Sequence, residues 1–126
     1  MSRPLVENAA DPRQTGRAER KLRERRREQA ADWAAVLDTA AGRRLFWTLL
    51  EHCGVYESVF SSDAGRMAFL AGKQDVGHYL MAQADRAVPG VMLTIMAERQ
   101  AAREREAAET VAFHTASVED GKEHGA

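Results

Sequence analysis

The stretch GRRLFWTLLEHCGVYESVF (residues 42–60) decides how the rest of this chain is read. It gathers Phe46, Trp47, Tyr56 and Phe60 in a sequence whose aromatic content is 6%, beside the single cysteine, Cys53, and beside His52. Two readings compete: a reactive pocket, or a helix and following turn anchored by large side chains. Thiolate chemistry needs a proton acceptor or a positive charge near the sulfur, and adjacent residues of a helix diverge by about 100°. His52 and Cys53 therefore do not meet by adjacency alone. The anchor is the reading adopted, with Cys53 a small buried apolar residue and His52 at the surface or the helix end. Each large side chain would contribute about 1.5–3 kcal/mol on burial.

Around this stretch the helix signals are well delimited. Thr39 is a capping residue, Leu45, Phe46, Leu49, Leu50 and Cys53 form an apolar stripe, and Gly54 sits where a left-handed cap is wanted. VYESVF then reads as an extended connector whose Val55, Tyr56 and Phe60 point back into the core. Ser61, Ser62 and Asp63 offer alternative N-caps for AGRMAFLAGKQDVGHYLMAQADRA, in which Met67, Leu70, Gly77, Leu80 and Met81 recur at near-helical spacing. Gly72 and Gly77 each cost about 1 kcal/mol in such a helix, so they mark a close approach or a kink. Pro89 suits the first position of a last helix, PGVMLTIMAERQAARERE, with Met92, Ile95 and Met96 as its apolar patch.

Upstream, residues 1–15 carry Pro4, Asn8, Asp11 and Pro12 and read as a flexible arm. A helix is expected from about residue 16, where RAERKLRERRREQAADWAAVL lacks interior proline and glycine and offers Glu19 and Arg23 as an i,i+4 pair. Its arginines surround the circumference, so that half should project from the core. Trp33, Val36 and Leu37 share one face and should dock. Beyond residue 111 the chain reads as a disordered acidic tail. The expected fold is all-α: a three- or four-helix core, about residues 33–96, in a helical domain 16–110 with an arginine-rich extension over 16–30 and flexible termini at 1–15 and 111–126. The core anchors are Trp33, Phe46, Trp47, Leu50, Val55, Phe60, Leu70 and Gly77.

Length and charge bound the function. At 126 residues the chain fits one domain able to bury roughly two thirds of its unfolded surface. Eighteen basic against nineteen acidic side chains leave a net charge of -1, so composition implies no global polyelectrolyte attraction. Locally, residues 13–28 hold eight basic and three acidic side chains. One cysteine permits no intramolecular disulfide, which favours a reducing compartment. The N-terminal residues lack the apolar segment of a signal peptide, and no apolar run approaches the ~18 residues of a membrane span. A protein without a membrane span, cytosolic when made, is the expectation.

The motifs of catalysis and metal binding are missing. Asp75 and His78 lie one helical turn apart and Glu51 or His52 could be brought to them, yet there is no HExxH, cysteine pair or EF-hand loop. AGRMAFLAG lacks the spacing and the terminal Lys-Ser/Thr of a phosphate loop. No catalytic residue, cofactor or metal is expected, and the chain is read as not an enzyme. Interaction is the stronger signal. Arg17, Arg20, Lys21, Arg23, Arg25, Arg26 and Arg27 can grip phosphate or carboxylate, although Glu19, Glu24 and Glu28 also suit a solvated, salt-bridged extension. Arg43 and Arg44 fall in the first turn of their helix, where the dipole disfavours cations, and are read as facing an acidic partner or phosphate.

GRRLFWTLLEHCGVYESVF followed by GRMAFLAGKQDVGHYLM resembles the Bbp19-like family of small tailed-bacteriophage proteins, over roughly residues 37–81. Gly42, Arg43, Arg44, Trp47, Leu50, Gly54, Val55, Phe60, Gly72, Val76 and Gly77 occupy the family's pattern. The resemblance implies a non-enzymatic phage protein of the virion or its assembly, present in the host cytoplasm during assembly. Its partners would be capsid, portal or ejection components, with homo-oligomers in the particle. Nucleic acid, bound by the arginine-rich helix, is the alternative partner. AVPGVML departs from the family's usual Asp-Pro type of helix start, and the arginine-rich helix is not carried over from the family.

Overall fold

A computed structural model describes residues 11–123 and 125, and among them it has four helices and no strand. They are α1 (Pro12–Leu37), α2 (Ala40–Cys53), α3 (Ala64–Ala87) and α4 (Val91–Glu123). The all-α expectation holds.

Local chemistry places each boundary. Asp11 accepts a hydrogen bond from the Arg13 amide at 2.9 Å and Pro12 takes the first helical turn, where its fixed φ and missing N–H cost nothing. The helix therefore begins before residue 16, and residues 12–15 are not part of a flexible arm; residues 1–10 lie outside the described residues. Thr39 caps α2 by accepting from the Gly42 amide at 3.0 Å, and Gly54 closes it in the left-handed conformation at φ 66°. Asp63, of the three candidates, caps α3 through the amides of Gly65 and Arg66. Pro89 lies in the turn before α4 rather than at its start. Gly90, at φ 81°, donates its amide to Asp85 there.

Helix α4 runs on through residues 111–123, where a disordered tail was expected. The hydroxyls of Thr110, Thr115 and Ser117 bond to carbonyls four residues back. They thus do not compete for the backbone as they would in a turn, and elongation from an established helix costs far less than nucleation.

The core sits where the helices converge. It comprises Leu37 of α1, Phe46, Trp47 and Leu50 of α2, Val55, Ala84 of α3, and Val91, Met92 and Ile95 of α4. Trp33, Cys53, Leu80, Met81 and Val88 pack around it, half-buried. Trp33 meets Phe46 edge to face, at 5.6 Å between centroids and 86° between planes, the arrangement favoured by opposed ring quadrupoles. Leu70 is half-buried outside this cluster.

Several residues of the expected apolar pattern turn outward, among them Val36 of α1, which is exposed although it was expected to dock with Trp33 and Leu37. Leu45 and Leu49 are 63% and 50% exposed because α2 presents Phe46, Trp47 and Leu50 instead. Phe60 is 81% exposed and is no core anchor. The connector is held only near its start, where the Gln74 side-chain amide donates to the carbonyls of Gly54 and Glu57 at 3.0 and 2.9 Å. Val55 is buried there, while Tyr56 is exposed with its ring tilted against Trp47 at 5.8 Å.

Gly77 is the contact point of α3. A methyl group added there would strike Val55 Cγ1 and lie 2.8 Å from Cys53 Cβ, whereas one on Gly72 would meet nothing within 4 Å. Gly77→Ala should therefore destabilise the protein, an overpacking cost of about 1–3 kcal/mol outweighing the helix-propensity gain. Gly72→Ala should stabilise it by about 0.5–1 kcal/mol. Urea unfolding of both variants checks the opposite signs.

Candidate functional site

The expected contact residues divide into two groups. Arg17, Arg20, Lys21, Arg23, Arg25, Arg26 and Arg27 all lie on α1 and are all exposed, in a segment, residues 12–29, where every residue but Gly16 is exposed. Glu19 and Arg23 are not paired: among the described residues the one ion pair within 4.0 Å is Arg43 with Glu98. At about 100° per residue the arm's cations surround the helix, so no partner approaching it meets a neutral side. Arg26 also reaches a groove between α1 and α3, of about 240 Å³, shared with Trp33, Tyr79, Gln83 and Arg86.

Arg43 is engaged within its own chain. It is half-buried, its Nε donating to both oxygens of Glu98 at 2.9 and 3.1 Å and its Nη1 to the Leu37 carbonyl at 2.9 Å. That carbonyl belongs to the last turn of α1, which has no intrahelical donor for it and where a cation is favourable. The unfavourable position of Arg43 in α2 is thus a favourable one for α1. Arg44, next to it, is exposed.

Beside this pair, α2 and α4 enclose a groove of about 220 Å³ lined by Arg44, Arg99 and Arg105 together with Ala40, Ile95 and Ala102. With Arg43 and Glu98 neutralising each other, three guanidinium groups give the groove its charge. Such groups take carboxylate or phosphate in two parallel hydrogen bonds. Arg99 and Arg105 are not among the contact residues expected from the sequence. Their signal was the spacing Ile95, Arg99, Ala102, Arg105, which carries the core-facing line of α4 outward.

Of the residues weighed for chemistry, His52 is exposed and Cys53 is half-buried against the core. Among the described residues no group of three His, Cys, Asp or Glu side chains could hold a metal ion, and no helix is long and apolar enough to cross a membrane.

Apolar exposure is extensive. Fifteen large hydrophobic side chains are exposed among the described residues, against nine residues in the buried core. Leu45 and Leu49 share a face of α2, and Phe69 and Val76 lie two turns apart on α3.

The Bbp19-like phage protein family matches residues 33–109, more than half of the chain. The match begins at Trp33, where α1 enters the core, and runs across AVPGVML into α4. It leaves out most of both exposed arms. No curated protein and no solved structure matches the chain significantly.

The two arginines should separate in a stability assay. Arg43→Ala removes two charge-assisted contacts and strands a helix-end carbonyl, and should lower unfolding free energy by about 1.5–3 kcal/mol. Arg43→Lys, with one point charge for two acceptors, should restore only part of it. Arg44→Ala should stay within about 0.5 kcal/mol of the parent.

Proposed function

The chain belongs to the Bbp19-like phage protein family, and on that premise we propose that it is a non-enzymatic virion or assembly protein. It works by protein–protein contact with capsid, portal or ejection components, assembling in the host cytoplasm and ending in the particle.

The observation that carries this reading is the imbalance between core and surface. The accessible surface is 10474 Å² for 14.0 kDa, about half as large again as the roughly 6700 Å² of a compact monomer of that mass. Fifteen large hydrophobic side chains of the described residues lie on it, some of them sharing a helix face as Leu45 and Leu49 do, and apolar groups so placed mark surfaces that other proteins cover. The arginine groove between α2 and α4 supplies a charged contact that recognises a carboxylate on such a partner.

Cross-linking mass spectrometry on intact particles tests the proposal. The expected result is cross-links from this chain to a capsid, portal or ejection component. Replacing Leu45 and Leu49 by serine should leave folding stability within about 0.5 kcal/mol while reducing incorporation. Particles that lack the chain, together with a purified chain that binds no particle protein, would sink the reading.

Nucleic acid is the second reading, favoured by the eight exposed cations of the α1 arm. Under it, DNA affinity falls steeply as salt rises, and each phosphate-contacting arginine removed lowers the slope of log K against log salt by about 1. Binding that is absent at low salt, or indifferent to salt, rules it out.

A further inference from the structure

We propose that the acidic arm of α4 receives the arginine-rich arm of α1 from a second copy of this chain. The inference rests on the assembly reading above and specifies one partner within it.

Helix α4 supplies the receiving face. The line of residues that enters the core at Ile95 continues, at steps of three and four, through Arg99, Ala102, Glu106, Glu109, Phe113, Ser117 and Asp120. From residue 103 to 123 every residue is exposed, so the face that the core covers at one end is uncovered along the rest. Phe113 is 75% exposed and lines a shallow groove with Glu106, Glu109 and Thr110. An apolar ring between carboxylates on one helical face suits an arginine, whose guanidinium can lie over the ring while pairing with acids on either side.

Helix α1 supplies the matching element. The line that enters its core contact at Trp33 runs back through Ala30, Arg26 and Leu22, with Arg23 alongside. Leu22 is 48% exposed. This seam is the counterpart of the other: one apolar residue flanked by cations instead of acids.

The charges identify the occupant. Residues 13–28 hold eight basic and three acidic side chains, and residues 106–123 hold one lysine and five acids. Within the chain the two sets do not meet, since the one ion pair among the described residues is Arg43 with Glu98, inside the core region. A second copy offers each arm its opposite at once, and +5 on one arm against -4 on the other leaves little charge to be matched by another molecule. Because the arms are different surfaces, the contact is isologous where two copies exchange both arms as a reciprocal pair, and heterologous where it runs head to tail and closes as a ring.

Sedimentation velocity of the full chain at low and high salt tests this. The wild type should self-associate with concentration, more weakly at high salt as screening rises. Arg23→Glu with Arg26→Glu, or Glu106→Lys with Glu109→Lys, should each weaken association by about tenfold or more. Mixing the two variants should restore it as a heteromer, and so should one chain carrying all four changes. Circular dichroism guards against misfolding. A wild type that stays monomeric, or association that neither pair of reversals weakens, overturns the proposal. A monomeric chain that still cross-links to other particle proteins defeats this inference and leaves the assembly reading standing. A chain that self-associates through both arms but is absent from particles does the reverse.

Discussion

One guanidinium group, that of Arg43, ties together three of the four helices. It sits in the first turn of α2, donates to an otherwise unpaired carbonyl at the end of α1, and grips Glu98 of α4 with its Nε. Turning Arg43 inward sets the phase of α2. Residues three, four and seven positions on, Phe46, Trp47 and Leu50, then face the core, and the equally apolar Leu45 and Leu49 face outward. The edge-to-face contact of Trp33 with Phe46 supports the same phase from α1. The fourth helix, α3, is placed by shape instead of charge: Gly77 lets Val55 and Cys53 approach closer than any side chain would allow.

These constraints produce a small core. Nine buried residues, each worth about 1.5–3 kcal/mol if large, oppose the ordering of four helices that total far more residues than they bury. A chain organised this way leaves fifteen large hydrophobic side chains exposed among the described residues. The low burial and the proposed assembly role are therefore the same property seen from inside and outside.

Legibility in the sequence tracked the range of the physics. Caps depend on neighbours, so Thr39, Gly54 and Asp63 could be read from residue type and position. The helix ends that escaped were those where one residue type has two meanings. Pro12 breaks a helix interior but suits its first turn, and the hydroxyls of residues 110–117 disturb a helix unless they bond backward within it. The phase of α2 was illegible because Glu98 is 55 positions from Arg43, and without that partner both leucines and aromatics fit an inward stripe. Phe60 failed for a related reason: hydrophobicity states a preference for burial, while only the Gln74 clamp shows where the connector leaves the core. The arginine groove was half visible, with Arg44 flagged in its helix turn and Arg99 and Arg105 hidden until α4 was seen to carry its core-facing line outward.

The arms also have an energetic reason to be covered. Residues 12–29 and 103–123 extend about 27 and 32 Å as helix, and both arms are exposed, without the tertiary packing that supplies most helical stability in proteins. Crowding eight basic side chains on one arm adds repulsion between neighbours a turn apart, and the acids of the other do the same. Both penalties vanish when opposite charges are laid against the arm. A helix that is already formed at its core end needs little ordering to accept such a partner, so less of the contact energy is lost to entropy than for a disordered tail. The core matched by the family thus acts as a clamp that starts two helices, and the charges along their free lengths decide what those helices hold.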